Sequence, residues 1–312
     1  MKPKLSIARL IYSLSIFFIV FALSCTKENS GAGTNEEEQE VSRVSSESDA
    51  EAEMIFNGVF DDVMGVSDEV GMSGTGIFGR TSLGSTGGTS ETSRPNACFT
   101  VTVTHPNNTP FPVRVVIDFG PIACMGPDGH TRRGKIISEY TNRLIMPGAI
   151  ATTTFHEFYF DSIKVEGTHK ITNTSAPIGT LPPSRQFTAQ VIDARLTNYN
   201  GNFIEWNSTK TITQIEGILT PDFPRDDVFR IEGHSRGRAK RGALLVAWES
   251  GVIEPLIKKF LCRWIVKGTI RTVRLNATTN NQWVAVLNFG NGACDNQAVI
   301  TINGVSHQIT LR

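Results

Sequence analysis

The sequence predicts an all-β fold over residues 96–312, an antiparallel meander or a barrel- or sandwich-like sheet of about a dozen strands. Three observations carry this. Apolar residues alternate with polar ones: CFTVTVT sets Phe99, Val101 and Val103 on one face, and VRVVIDF sets Val113, Val115, Ile117 and Phe119 on one face. CRWIVKGTI and QWVAVLNF repeat the pattern with Trp264, Val266, Ile270 and with Trp283, Ala285, Leu287, Phe289. Period-two alternation marks strands that pack one face on a core. Second, Asp128-Gly129, Asn200-Gly201 and Asn303-Gly304 punctuate these runs, dipeptides that supply the positive φ of tight hairpins. Third, the body shows neither a long helical period nor alternating strand and helix patterns, which excludes a parallel α/β design.

The segments before the body have a different texture. Residues 1–24 read as a secretory leader: Lys2, Lys4 and Arg9 precede an apolar run, Leu10 to Leu23, too short at ~14 residues to span a bilayer. Leu23-Ser24-Cys25 resembles the lipobox of bacterial lipoproteins, which implies a diacylated Cys25 as the mature N-terminus and a membrane anchor through it. Residues 25–48 read as an acidic, solvated tether with little to bury. Residues 49–66 read as a short amphipathic helix. Met54, Ile55, Val59, Val63 and Val66 keep helical spacing, Phe56 and Phe60 adjoin them, and Ser48 or Asp49 caps the start. Glu51 and Glu53 then fall near the positive end of its dipole. Residues 67–95 are a Gly/Ser/Thr-rich linker. Charge divides the same way: residues 27–69 hold 13 acidic and two basic side chains, and residues from 71 onward hold 25 Lys/Arg against 17 Asp/Glu. A basic body favours anionic partners, if any.

With Cys25 assigned to lipid, four cysteines remain, an even number that suits two disulfides in an exported chain. The string DFGPIAC (118–124) recurs as NFGNGAC (288–294), and each copy has a cysteine upstream, Cys98 and Cys262. Of the three connectivities, the repeat favours Cys98–Cys124 and Cys262–Cys294, two disulfide-stapled units. No CxxC spacing points to zinc. A second repetition, VEGT, IEGI, IEGH, VKGT and INGV, places a glycine after an apolar-polar pair, which suits bulges in a strongly curved sheet.

Several segments carry candidate chemistry. GPDGHTRRGKI (126–136) gathers His130, Arg132, Arg133 and Lys135 into a hairpin that reads as a polar turn, or as an anion-binding tip through Arg132 and Arg133. HSRGRAKRG (234–242) holds Arg236, Arg238, Lys240 and Arg241 and reads as a solvated hairpin or an anion-binding patch. It lacks aromatic residues for base stacking, so no nucleic-acid partner is expected. In FHEFYFD (155–161), strand geometry sends His156 and Glu157 to opposite faces and separates Glu157 from Asp161 by ~13 Å. Asp161-Ser162-Ile163 resembles the O-glycosylation acceptor of exported Bacteroidetes proteins, which implies a glycan on Ser162. No GxSxG elbow, P-loop or dinucleotide fingerprint appears, so the sequence points to no catalytic residue, cofactor or metal.

DFGPIACMGPDGHTRRGKI, GTHKITNTS, CRWIVKGTI and FGNGACDNQAVITINGVSHQITL together resemble the β-rich lipoproteins abundant in Bacteroidetes. The resemblance implies an exported, lipid-anchored protein at the outer membrane, with the cell surface as the favoured face, and brings no activity with it. The expectation is a non-enzymatic binding or envelope-structural module, with an anionic glycan or an envelope protein as candidate partner. The alternative is an extracytoplasmic hydrolase or glycan-processing accessory whose site assembles only in three dimensions.

Overall fold

A computed structural model describes residues 30–65, 70, 98–126, 129–181, 183–220, 226–262, 264–275 and 284–311. The leader (1–24), Cys25 and, apart from Val70, the linker (67–95) lie outside the described residues. The chain divides into two compact units, residues 1–38 and 39–312. Of the first, only the helical residues from 30 onward are described; the helix from Gln39 on and all the strands belong to the second.

One helix and fourteen strands are seen among the described residues. The helix α1 spans Ser30–Gly65. The strands are β1 (Thr100–Thr104), β2 (Val113–Asp118), β3 (Cys124–Met125), β4 (Thr131–Tyr140), β5 (Ile150–Phe160), β6 (Ile163–Asn173) and β7 (Arg185–Thr197). They continue with β8 (Phe203–Glu216), β9 (Val228–Arg241), β10 (Leu244–Lys259), β11 (Ile265–Arg274), β12 (Val284–Asn291), β13 (Gln297–Ile302) and β14 (Val305–Thr310). They form a single antiparallel sheet in which each strand pairs with the next, except that β2 pairs with β4 and the two-residue β3 pairs only with β4. The sheet is not closed: β1 and β14 stand at its two ends. HSRGRAKRG, expected as a hairpin, lies mostly within β9, and the turn comes only at Gly242.

The helix corrects two expectations. It begins at Ser30 rather than near 49, so the stretch expected to be a solvated tether is helical from there on. Ser48 and Asp49 therefore cap nothing; both are buried in its interior turns. The cause is the sheet. Its apolar face needs cover, and the helix supplies it with Ile55, Val59 and Val63, all fully buried. Phe56 stacks on Trp206 of β8 with ring centroids 5.6 Å apart, and Phe60 meets Phe187 of β7 edge-on at 6.1 Å. Tyr140 donates its hydroxyl to the carbonyl of Val63 at 2.9 Å.

The interior also buries charged groups that meet partners across the helix–sheet boundary. Arg132 of β4 donates to Asp62 (3.0 Å), and both side chains are excluded from solvent. The ammonium of Lys210 on β8 lies 2.9 Å from Glu53, off the line of a hydrogen bond, so that contact is ionic. One oxygen of Asp49 accepts from the indoles of Trp206 (2.8 Å) and Trp248 (3.0 Å) and from the hydroxyl of Ser235 (2.8 Å).

Curvature comes from the glycine series. Gly167, Gly233 and Gly268 adopt φ of +113°, +136° and +114°. A Cβ on any of them would lie within 2.6 Å of a neighbouring strand's backbone. Register shifts flank Gly167, Gly268 and Gly134, so these three sit at bulges that bend and twist the sheet. Of the other two predicted members, Gly217 comes just after β8 and Gly304 forms the β13–β14 turn.

The repeated string is one device used twice. The carboxylate of Asp118 accepts from the amide of Gly120 (2.9 Å), and the amide oxygen of Asn288 accepts from Gly290 (2.7 Å). Both glycines have positive φ, and Phe119 and Phe289 between them are buried. The disulfides Cys98–Cys124 and Cys262–Cys294 join a cysteine just before one strand of a hairpin to a cysteine just after its partner, around β1–β2 and β11–β12. The staples belong to one continuous sheet.

Candidate binding groove

Most of the helix from Val41 on is enclosed, but one stripe faces a cavity of about 580 Å³. Arg43, Glu47, Ala50, Met54, Asn57 and Asp61 recur at the three- and four-residue spacing of a single helix face and form the floor. At 1.5 Å per residue that face runs for about 27 Å. The wall comes from the C-terminal strands: Phe260, Leu261 and Trp264 in the β10–β11 connection, Phe289 of β12, and Ile309 and Leu311 at the end of β14. The Cys262–Cys294 disulfide fixes that connection beside β12. The cavity exists because the sheet curls without closing.

The wall is largely apolar, with Lys258, Gln308 and Thr310 among its lining residues, and the floor is mixed. The floor's charges are matched locally: Arg43 reaches Glu40 at 2.7 Å and Glu47 at 3.4 Å, and Arg241 reaches Glu51 at 3.1 Å. The hydrogen bond to Glu40, with Coulombic help from Glu47, raises the Arg43 pKa against the effect of burial. His130 lines the other end, beside Phe160. Its Nδ1 makes a short contact with Asp161, whose second oxygen accepts from the amide (2.8 Å) and hydroxyl (3.2 Å) of Thr131. Burial works to raise the Asp161 pKa, but these bonds outweigh it and hold the carboxyl below its usual range.

The residues singled out in the sequence are scattered rather than assembled. Arg132 is buried against Asp62 and the ring of Phe160, so no anion from solvent reaches it. Arg133 stacks on Tyr159 with 3.5 Å to the ring centroid, and Lys135 pairs with Asp118 at 2.7 Å. The patch on β9 divides: Arg236, Arg238 and Lys240 are exposed, while Arg241 turns to the helix. Glu205 neutralises part of the exposed group, taking Arg238 (2.6 Å) and Arg195. His156 and Glu157 do not take opposite faces. Glu157 has φ +44° at a bulge, so both side chains are exposed. Ser162 stands exposed in the β5–β6 turn with φ +69°. Among the described residues, no three His, Cys, Asp or Glu side chains are placed to hold a metal.

Of the groove floor, only Arg43 and Glu47 fall in residues 25–48, which read as a tether; Ala50, Met54, Asn57 and Asp61 lie within the helix expected over 49–66. A signal was there: Val41, Val44, Ala52, Ile55, Val59 and Val63 hold helical spacing across the presumed boundary, diluted by Ser and Glu. The wall residues Trp264 and Phe289 were legible only as inward-facing strand positions. Comparison with protein-family models, with curated proteins and with solved structures yields no match.

Proposed function

We propose that this protein is an exported lipoprotein, anchored to the cell envelope through a diacylated Cys25, that acts as a non-enzymatic binding module with the helix–sheet groove as its binding surface. The observation that carries the binding role is the groove itself, a long cavity in the size range of small-molecule sites, lined by apolar and polar residues in similar number. Two disulfides are consistent with an extracytoplasmic protein. Among the described residues no helix is long and apolar enough to cross a membrane. The basic leader and Leu23-Ser24-Cys25 support the lipid anchor, with the outer membrane and its surface as the proposed address. The exposed cations of β9 offer a weaker surface for an anionic glycan, since Glu205 already engages Arg238. The exposed turn at Ser162 leaves the hydroxyl accessible for O-glycosylation, which glycopeptide mass spectrometry of the native protein tests.

Two measurements test the main reading. Metabolic labelling with palmitate marks the wild-type chain, and Cys25→Ser abolishes the label. Hydrogen exchange compares protein extracted from its own envelope with protein made in isolation. The reading requires slower exchange at residues 43–61 and 260–265 in the native material, and identical exchange sinks the groove as a binding surface.

One observation favours a second reading, a hydrolase: His130 lines the groove with Asp161 positioned on its Nδ1, the arrangement that orients a general base. His130→Ala abolishing a turnover seen with esters or glycosides would support it. Without such turnover the binding reading stands.

A further inference from the structure

The groove's dimensions and chemistry identify its ligand class. Resting on the reading of the groove as the binding surface, we infer that it takes the linear acyl chain of an amphiphile, with an uncharged or zwitterionic head group left at the mouth. The apolar elements run lengthwise. Ala50, Met54 and Gly58 form the middle of the floor, and Trp264, Phe289 and Leu311 stand in the wall across from it. A trough about as long as five helical turns is filled by an extended chain, whereas a compact ring system leaves most of it empty. A peptide would set backbone N–H and C=O groups against the apolar stretch of Ala50, Met54, Phe289 and Leu311, whose side chains cannot pair with them. An alkyl chain makes no such demand.

Charge limits the head group. The cations on the floor are already engaged, Arg43 by Glu40 and Glu47 and Arg241 by Glu51. On the floor an anionic head would have to displace a carboxylate and then sit beside it, and in the wall Lys258 is engaged by the carbonyl of Cys262. A neutral or zwitterionic head avoids that cost.

A separate feature supplies the route. In an antiparallel meander alternate connections return to the same end of the sheet. The β4–β5, β6–β7, β8–β9 and β10–β11 connections each present an exposed large apolar side chain there: Ile145, Leu181 (86 % exposed), Leu219 (84 %) and Leu261 (62 %). Leu261 also lines the groove. Exposed apolar side chains at this end, of which Leu261 joins the wall, suit contact with a lipid surface from which a chain slides in.

The test uses the full mature chain carrying Cys25→Ser and a monoacyl phosphocholine brominated along its chain, held below its aggregation concentration. Bromine quenches tryptophan on contact, so the chain is expected to quench Trp264, and Trp264→Phe is expected to lose most of that quenching while still binding by native mass spectrometry. Leu311→Glu, which places a carboxylate in the wall, and Ala50→Phe, which fills the floor from the helix side, are each expected to weaken binding at least tenfold. Brominated stearate and an N-acylated peptide are run in parallel: the anionic stearate is expected to bind at least tenfold more weakly than the phosphocholine, equal binding overturns the head-group assignment, and binding of the acylated peptide points to another lipoprotein as the source of the chain. Equal quenching in Trp264→Phe, or undiminished binding in both groove variants, places the chain elsewhere and overturns the inference. If no arm binds while native material still shows slowed exchange along the groove, the acyl assignment falls and the binding reading survives. If neither is seen, both fall.

Discussion

At the residue scale, Asp49 shows how a helix rich in Ser and Glu is held inside a sheet. One carboxylate oxygen accepts from Trp206, Trp248 and Ser235, which lie on three successive strands. Asp49→Ala leaves three buried donors unpaired, each costing about 1–3 kcal/mol, so a loss of at least about 3 kcal/mol is expected in urea denaturation. Asp49→Asn keeps the accepting oxygen and should cost about 1–2 kcal/mol; equal losses would mean that the shared acceptor is not what matters. His169 on β6 adds a pH dependence. Its ring is buried 5.9 Å from Phe56, and burial pushes its pKa down to about 4. The unfolded chain, with a His near 6.5, binds the proton first. Stability is therefore full above about pH 6.5 and falls toward pH 4, by about 3 kcal/mol. Asp227 acts with the opposite sign. Burial raises its pKa to about 6, so the folded chain takes that proton first and gains stability as pH falls from 6 toward 4. Urea midpoints at pH 7 and 5 separate the two: His169→Gln flattens or reverses the acid loss, and Asp227→Asn steepens it.

At the scale of elements, the bends are set by backbone positions that exclude a side chain. A Cβ on Gly167 would lie 2.6 Å from the Cα of Ala194, and one on Gly268 would lie 2.4 Å from the carbonyl oxygen of Pro255. Both also hold a φ that L-residues rarely adopt. Gly167→Ala and Gly268→Ala should each cost about 3 kcal/mol or more, strain and clash combined. Gly251→Ala is the control: with ordinary φ and open space around it, the change should stay within about 0.5 kcal/mol. Thermal melts of the three variants decide the matter, and a loss at Gly251 equal to the others would refute the bulge account. These glycines were legible in the sequence because VEGT, IEGH and VKGT repeat a local pattern. The bulge opposite Gly134 was not. Nothing in FHEFYFD marks Glu157 as its partner, because that pairing is set by the register of β4 on β5. The cysteine pairing was legible for the opposite reason, since Asp118-Phe119-Gly120 and Asn288-Phe289-Gly290 build the same local turn wherever they stand.

At the scale of the whole molecule, the sheet could be read from alternation along each strand and the helix from its apolar spacing past residue 49, while the helix before that point could not. A helix buried on nearly every side is ordinarily apolar all round. This one buries Ser42, Ser45, Ser46, Asp49, Glu53 and Asp62; Asp49 and Glu53 find partners on strands more than a hundred residues away, Asp62 meets Arg132 some 70 residues on, and Ser45 donates to the carbonyl of Val41 within the helix. Polarity that looks like a solvated tether is thus polarity buried in a core and partly matched by the sheet, and Arg43 and Glu47 of the groove floor were hidden with it. The β-sheet is therefore not a self-sufficient body. Without residues 39–65 its concave face loses Ile55, Phe56, Val59, Phe60 and Val63 and exposes Lys210 and Arg132 without their carboxylates. A chain of residues 96–312 should keep strand signal in far-ultraviolet circular dichroism yet bind a hydrophobic dye and melt without a cooperative transition. The chain of residues 39–312 should unfold in one sharp step. Adding a synthetic peptide of residues 39–66 to the truncated chain should restore cooperativity, with its midpoint rising as peptide concentration rises. A truncated chain that melts as sharply and as high as the longer one would show that the helix only decorates the sheet, and the groove would then have no fixed floor.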